Sequence, residues 1–391
     1  MLEGMGGLAV MEVKIKTLTP LWTGGVETGK VDRIHETGIL GSLRWWMEVL
    51  VRGMGDQVND PTSDERSGFD AEKYQKSQAT DERQRLRDAG LGDVSQIFGA
   101  TGWKRRFRLT VSEENLEWQP SIPLKITPPD RTRGWFLNPG WLGTLTLTLQ
   151  GDSETLAKLH ALLRFMEAWG SLGARPQLGY GAFRIIDIKD PPPAACYAVY
   201  GDRPPSDQPD LRTFTFFKLR FTPKTATWWH TVPGIRELRT RRDSWTELEK
   251  LTEQGMVPTT PALKNYLRYH QQWSSPSLPH WLFGTIRQGE RLRSKVAFSW
   301  AYRPENTEEW EIRGWMYLPQ DRNGRTFQRE ILSAFQDKLG QPQAWLKALG
   351  LQDTDYRAAK LILPPAQKPW QTHSISEVQA LLQNSLTGEQ L

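Results

Sequence analysis

Cysteine is almost missing from this sequence, since Cys196 is the single one among 391 residues. One cysteine cannot close a disulfide within the chain and cannot build a thiolate cluster around a metal ion. Long apolar runs are missing as well, because no window approaches the roughly 20 apolar residues that a membrane-spanning helix needs. Nothing near residue 1 resembles a signal peptide, in which a basic region precedes an apolar one. These absences predict a cytoplasmic protein with no membrane contact.

Several catalytic signatures are also missing. The six histidines are scattered, and no two have the His-x-x-x-His spacing of metal ligands. The sequence contains no Gly-x-Ser-x-Gly nucleophile turn. Residues 24–31 come close to a P-loop, but Val31 stands where a magnesium-binding hydroxyl is required. The sequence therefore predicts no metal site, no intrinsic cofactor and no NTP hydrolysis.

Basic residues and tryptophan are what the chain has in excess. The net charge is +5, and arginine and lysine cluster at residues 104–108, 236–242 and 287–295. One such run is usually a solvated surface, but three favour a nucleic-acid partner. Four of the 18 tryptophans form the adjacent pairs 45–46 and 228–229. Neighbouring rings of a regular helix or strand point to different faces, so we expect some indoles to be exposed for stacking.

The chain divides into two halves at proline-rich segments. We predict a first domain at residues 1–192, a linker at 193–210 and a second domain at 211–391. A charged segment at about 53–92 has few large apolar residues, so it reads as an insertion in the first domain that buries little.

Hydrophobic periodicity gives both halves the same order of elements, β-α-β-β-α-β. The first half has strand patterns at 12–18, 105–111, 144–149 and 183–188, and helix patterns at 40–51 and 155–169, the latter with Asp152 or Ser153 as N-cap. The second half has strand patterns at 213–221, 295–302, 310–317 and 360–363, and helix patterns at 261–270 and 327–339. The predicted fold class is α+β, with tandem ferredoxin-like (RRM-like) domains.

The most informative segment is the glycine-rich loop, which we define as residues 170–181. Glycine adopts positive φ easily and lets a partner approach the bare backbone. Amide N–H groups in such a loop can form a cradle for anionic oxygens, with Arg175 as a charged donor. A helix precedes the loop and a strand follows it, which is the reverse of a dinucleotide site and favours a phosphodiester backbone. The alternative is an ordinary connection with glycine caps.

Two further segments point to phosphate chemistry. Gly41 and Ser42 read as the start of a helix whose amide groups and hydroxyl converge on one point, with Arg44 in the first turn. Asp32 lies on a basic loop beside Lys30 and Arg33, where it could position a water for hydrolysis. It has no second acid nearby, so two-metal catalysis is not indicated, and a solvated loop aspartate is the alternative.

These motifs resemble the RAMP superfamily of CRISPR-associated proteins. The resemblance rests on residues 19–25, 38–46 and 97–99 together with the glycine-rich loop. The run Gly-Ser-Leu-Arg-Trp-Trp is similar to the first subunit of the Cmr-type (type III-B) effector complex. The resemblance implies two ferredoxin-like RAMP domains in an RNA-guided antiviral complex, with guide RNA, target RNA and other effector subunits as partners.

The resulting hypothesis is an RNA-binding structural subunit that contacts the guide or the guide–target duplex near the guide's 3′ region. The residues predicted to contact RNA are Lys30, Arg33, Gly41, Ser42, Arg44, Lys104, Arg105, Arg106, Gly170, Gly173, Arg175, Gly179 and Gly181. The alternatives are an endoribonuclease that cuts target RNA with Asp32 as catalytic residue, a guide-precursor processing enzyme, or a protein-binding scaffold. Magnesium would be needed only if target RNA is cut.

Overall fold

A four-stranded antiparallel sheet with helices on one face organises the first half of the chain. The computed structural model describes residues 8–27, 29–59, 67–127, 134–193, 198–287, 290–365 and 371–387. The first-half elements are β1 (Ala9–Thr17), α1 (Glu36–Gly53), α2 (Ala71–Lys76), α3 (Glu82–Asp88), α4 (Asp93–Phe98), β2 (Phe107–Gln119), β3 (Ile122–Pro123), β4 (Phe136–Leu137), β5 (Gly140–Gly151), α5 (Ser153–Trp169) and β6 (Phe183–Lys189). The sheet order is β2-β5-β1-β6, which is the ferredoxin-like arrangement.

The second half repeats this arrangement. Its elements are β7 (Phe214–Pro223), α6 (Arg242–Glu253), β8 (Met256–Val257), α7 (Thr260–Tyr269), α8 (Leu278–Phe283), β9 (Thr285–Arg287), β10 (Glu290–Leu292), β11 (Val296–Phe298), β12 (Ala301–Tyr302), β13 (Trp310–Tyr317), α9 (Arg322–Leu339), α10 (Pro342–Ala348), β14 (Tyr356–Ile362) and α11 (Ile375–Thr387). The main sheet runs β14-β7-β13-β12-β8, and β11 also pairs with β13. β7 and β13 therefore take the central positions that β1 and β5 take in the first sheet. The prediction of tandem ferredoxin-like units is confirmed.

The layers stack because β7 is buried on both faces. Phe214 and Phe216 pack into a core with α1 and α5 of the first half. Phe217, Leu219 and Phe221 point the other way, into the core that α7, α9 and α10 share. Helices α1 and α5 are thus held between the two sheets, and the exposed side chains of β1 and β2 lie on the opposite face of the first sheet.

Each half also sends a segment into the core of the other. The arm between β2 and β5 contributes Ile122, Leu124 and Leu137 to the second core. In return, α11 contributes Val378 and Leu381 to the first core and packs against α5. The proposed domain limits at 192 and 211 stay predictions, because side chains from both halves share each core.

The charged segment at 53–92 buries more than the sequence indicated. Its described part contains α2 and α3, and Leu86 is fully buried. Arg87 Nη2 lies 2.6 Å from Asp56 Oδ2 and 2.7 Å from Asp93 Oδ1, at the start of α4. Ion pairs attach this segment together with a few buried apolar side chains, and hydrophobic periodicity does not register the ion pairs.

The two tryptophan pairs behave differently from each other. Trp46 is buried and Trp45 is half-buried, because consecutive side chains of helix α1 point in different directions. Trp228 and Trp229 are both buried, so the expectation of an exposed ring is wrong for this pair. Their segment is a short 3-10 turn, in which regular alternation of faces does not hold. Within the described residues, no helix is both long and apolar enough to cross a membrane.

Candidate nucleic-acid interface

Three segments that are far apart in sequence meet at one surface of the first half. The amide of Ala174 donates to the carbonyl of Trp22 at 2.7 Å, which joins the glycine-rich loop to residues 21–33. The amide of Gly173 donates to Ser42 Oγ at 3.0 Å, which joins the same loop to α1. We call this the loop surface: residues 22–27 and 29–33, the exposed side of α1 around Gly41, and residues 173–178. The sequence motifs thus converge in space.

Helix α1 begins earlier than the sequence analysis places it. It starts at Glu36 with His35 as N-cap, so Gly41 and Ser42 lie in its second turn. The prediction that they form a helix start is therefore wrong, and the backbone amides there belong to the helix. Ser42 Oγ donates to the carbonyl of Ile39 at 2.8 Å and accepts from Gly173. Ser42 is buried and fastens the loop, whereas Gly41 is exposed with open space above it.

The backbone amides of the loop glycines donate hydrogen bonds within the protein, so they do not form an open cradle for a phosphate. The amides of Gly170, Gly173, Gly179 and Gly181 donate to Met166, Ser42, Pro176 and Pro20, respectively. Gly173, Gly179 and Gly181 have positive φ, so glycine is required for the backbone path itself. The proposed phosphate cradle of amide donors is corrected accordingly, because these four donors already have acceptors.

Arg175 is the residue that the loop presents. It has φ 65° between glycines, and its guanidinium carbon lies 3.8 Å from the centre of the Trp22 ring. Burial lowers the pKa of this guanidinium, and its Nη1 atom has no hydrogen-bond partner among the described residues. The unpartnered Nη1 atom is buried, so a phosphate oxygen can reach this stacked cation only through the rest of the half-buried side chain.

Arg44 has a structural role that the sequence does not reveal. Its Nε donates to Glu48 Oε1 at 3.0 Å and its Nη1 to the carbonyl of Gly99 at 2.9 Å. Because both edges of the guanidinium are engaged, the prediction that Arg44 clamps a phosphate is not supported. Arg44 instead ties α1 to the Ile-Phe-Gly motif at 97–99.

The basic strand start at 104–106 is only partly available. Lys104 is exposed. Arg105 Nε donates to the carbonyl of Phe107 at 2.7 Å, and the Arg106 guanidinium lies over the Trp103 ring at 5.8 Å. No hydrogen bond of the described residues joins this segment to the loop surface directly. Residues 104–106 lie beside Arg44 and Gly99, so this segment borders the loop surface and is not part of it.

Lys30, Arg33 and Asp32 are exposed on the loop before α1. Lys30 pairs with Glu27 at 2.5 Å and Arg33 with Glu36 at 3.5 Å, at solvent-exposed positions where such pairs contribute little. Asp32 Oδ1 lies 2.8 Å from His35 Nε2, and this hydrogen bond lowers the pKa of the Asp32 carboxyl. Among the described residues, no three His, Cys, Asp or Glu side chains group as a metal site would need.

The second half supports the loop surface from behind, a contribution that the sequence analysis missed. Lys264 of α7 donates to the carbonyl of Gln177 at 3.1 Å, and Trp300 Nε1 donates to the carbonyl of Leu178 at 3.0 Å. Burial, with the neighbouring Arg268 charge, lowers the pKa of the Lys264 amino group to about 7. The only sequence signal for this contact is a lysine on the apolar side of an amphipathic helix.

The family model of the RAMP superfamily matches residues 14–184. No curated protein matches the chain. Among solved structures, the chain is similar to apo Cmr1 from Pyrococcus furiosus, with 13% identity, coverage of 80% of this chain and 89% of that one, and a TM-score of 0.40.

Two further solved structures are similar to this chain. A chain of the type III-B Cmr-beta complex bound to cognate target RNA and AMPPnP is 12% identical, and the match covers 98% of this chain and 100% of that one with a TM-score of 0.35. Cmr6 from Pyrococcus furiosus is 16% identical, and the match covers 46% of this chain and 100% of that one with a TM-score of 0.25. The similarity rests on the family model and on the motifs it spans. Residues 14–184 of this chain match the RAMP superfamily model, which covers less than half of the chain.

Proposed function

We propose that this chain is an RNA-binding structural subunit of a type III CRISPR effector complex, with the loop surface as its contact to guide RNA or to the guide–target duplex. The RAMP domain at 14–184 and the resemblance of its motifs to the Cmr-type subunit support the assignment. The observation that carries the RNA contact is the convergence of Lys30, Arg33 and Arg175 at one surface. These are side-chain cations on loops that buried contacts hold in place.

The chemistry of the surface favours the sugar-phosphate backbone over base edges. Its cations are presented on loops, and Gln177 is the one side-chain amide among its described residues that could read an adenine edge. Gly41 leaves open space on α1, through which a backbone could approach closely. Binding of this kind depends on salt and hardly on sequence.

The test measures RNA affinity as a function of salt. The variant Lys30→Gln/Arg33→Gln/Arg175→Gln is compared with Arg322→Gln/Arg325→Gln/Arg329→Gln, which removes three exposed charges from α9. Each lost phosphate contact lowers the slope of log K against log salt by about 0.7 for a single strand, so the first variant should lose about 2. The α9 variant should keep the slope of the unmodified chain.

Equal slopes for the two variants and the unmodified chain would refute the loop surface as the RNA contact. Thermal unfolding of each variant controls for misfolding. If the isolated chain binds no RNA even at low salt, a protein-binding scaffold is the better account.

Cleavage of target RNA is the second candidate function. The observation that favours it is the exposed carboxylate of Asp32 on the same surface, oriented by His35. The assembled complex with Asp32→Ala, incubated with labelled target RNA and magnesium, should keep cutting at the unmodified rate if the chain is structural. Loss of one cut would make Asp32 catalytic, and cutting of a repeat hairpin by the isolated chain without metal would indicate guide-precursor processing.

A further inference from the structure

A second basic surface lies on the other half of the molecule, where the function proposed above assigns no role. Arg239, Arg241 and Arg242 are exposed before and at the start of α6. Lys125, on the arm from the first half, joins them because its amide donates to the carbonyl of Gly234 at 3.1 Å. We call these four residues and Trp245 the α6 patch.

The cations of the α6 patch have no carboxylate partners in the part of the chain that the structure describes. No hydrogen bond or ion pair of the described residues engages the side chains of Lys125, Arg239, Arg241 or Arg242, although Arg236 beside them pairs with Glu237 at 2.5 Å. The first turn of α6 contains a single acid, Asp243. Several positive charges at the beginning of a helix oppose its dipole. An arrangement that costs stability without a compensating contact in the fold indicates a ligand with negative charge.

A cluster of tilted aromatic rings lies directly beside these cations. The Trp245 ring lies 4.8 Å from the ring of Trp229, which is buried in the second core, and 4.8 Å from the ring of His230. Trp245 Nε1 donates to Glu249 Oε1 at 2.9 Å, which fixes the orientation of the indole. The Arg239 guanidinium lies 6.0 Å from the Trp245 ring centre. The half-buried Trp245 is thus the outer member of an aromatic cluster, with Arg239 over its ring.

We propose that the α6 patch binds single-stranded RNA, with the arginines on phosphates and one base stacked at Trp245. Stacking on an aromatic ring beside a cationic track is the mode in which proteins hold unpaired nucleic acid. A protein partner with an acidic segment would use the charges but would have no need of a rigid, outward indole. This inference rests on the proposed function and extends it, giving the chain a second RNA contact built by both halves through Lys125.

The test uses the full chain and a fluorescein-labelled oligouridylate as probe. Arg239→Gln/Arg241→Gln/Arg242→Gln should lower the salt slope by about 2, whereas the matched α9 variant Arg322→Gln/Arg325→Gln/Arg329→Gln should leave it unchanged. Trp245→Leu, which keeps an apolar side chain against Trp229, should weaken binding about tenfold with little change in slope. A duplex of the same length should be far less sensitive to Trp245→Leu than the single strand.

Each other outcome decides against the α6 patch. If the α6 arginine variant binds oligouridylate like the unmodified chain while the Lys30/Arg33/Arg175 variant does not, the patch is refuted and the loop surface stands. If polyglutamate competes for the patch and the RNA slope is unchanged, the patch is a protein contact. If neither arginine variant alters RNA binding, the patch and the proposed function both fail.

Discussion

Helix α1 of the first half and helix α7 of the second half each carry an arginine that reaches a corresponding place. In the first half, Arg44 of α1 donates to the carbonyl of Gly99, and in the second half Arg268 of α7 donates to the carbonyl of Gly284 at 3.1 Å. Both glycines end a short helix with nearly the same backbone angles, φ 89° and ψ 159° against φ 80° and ψ 154°. The halves therefore share a detailed frame and not only an order of elements.

The halves differ in the connection from their long second core helix, α5 or α9, to the last strand of the sheet. In the first half, α5 leads to β6 through the glycine-rich loop, whereas in the second half α9 leads to β14 through α10. Helix α7 of the second half faces the first half, and its Lys264 donates a hydrogen bond to the carbonyl of Gln177 in the loop. One copy thus supplies the loop surface, and the other supplies its support. The two halves share this arrangement and differ in what they contribute to the loop surface.

The largest expected effect is on stability, and it comes from a substitution in the glycine-rich loop, which only the first half has. A Cβ at Gly181 would lie 1.9 Å from the carbonyl oxygen of Leu172, at a φ of 82°. Gly181→Ala should lower the free energy of unfolding by about 3 kcal/mol or more, because backbone strain adds to the clash. Gly29→Ala is the control, with similar φ but nothing within 4 Å, and should cost about 1 kcal/mol. Equal losses in denaturant titrations would contradict this account of the loop.

The next effect compares the two arginines of the shared frame. Arg44→Met removes a partner from the buried Glu48 carboxylate and should cost about 3 kcal/mol in chemical unfolding. Arg268→Met should cost less, since it also relieves the repulsion that Arg268 exerts on Lys264. RNA affinity of the folded Arg44→Met chain should stay within twofold of the unmodified chain. A selective loss of RNA binding without loss of stability would restore Arg44 as a phosphate clamp.

A third effect concerns the buried lysine that links the halves. The pKa of Lys264 is about 7 in the folded chain and has its ordinary value, near 10.4, when unfolded. Between these values the unfolded state binds the extra proton, so stability should rise with pH by up to about 1.4 kcal/mol per unit. Lys264→Met should lack this contribution, so its pH profile from 7 to 10 should be flatter. Parallel profiles for the two proteins would mean that the amino group is not buried.

The smallest effect tests the open position on α1. Gly41 lies in the helix with no atom near its missing Cβ, so Gly41→Ala should raise the free energy of unfolding by about 0.5–1 kcal/mol. If RNA approaches α1 there, the same change should weaken RNA binding although the protein is more stable. Unchanged affinity would remove Gly41 from the loop surface.

Much of the fold follows from sequence periodicity, and the site follows less well. The alternating β5 and β7 and the N-cap Asp152, which accepts from the amide of Thr155 at 2.8 Å, are local signals and were predicted correctly. The roles of Ser42 and Arg44 were not, because their partners Gly173 and Gly99 are 131 and 55 residues away along the chain. Short motifs show which residues matter in the first half. They do not show whether a polar side chain points inward, where it bonds to other parts of the chain, or outward, where it can contact a ligand.

The most direct measurement is photo-crosslinking of 4-thiouridine RNA to the full chain, followed by mass spectrometry of the attached peptides. The account predicts crosslinked peptides from residues 22–35 and 173–178, lost when Lys30, Arg33 and Arg175 are replaced by glutamine. Crosslinks confined to other surfaces, unchanged by that replacement, would contradict it.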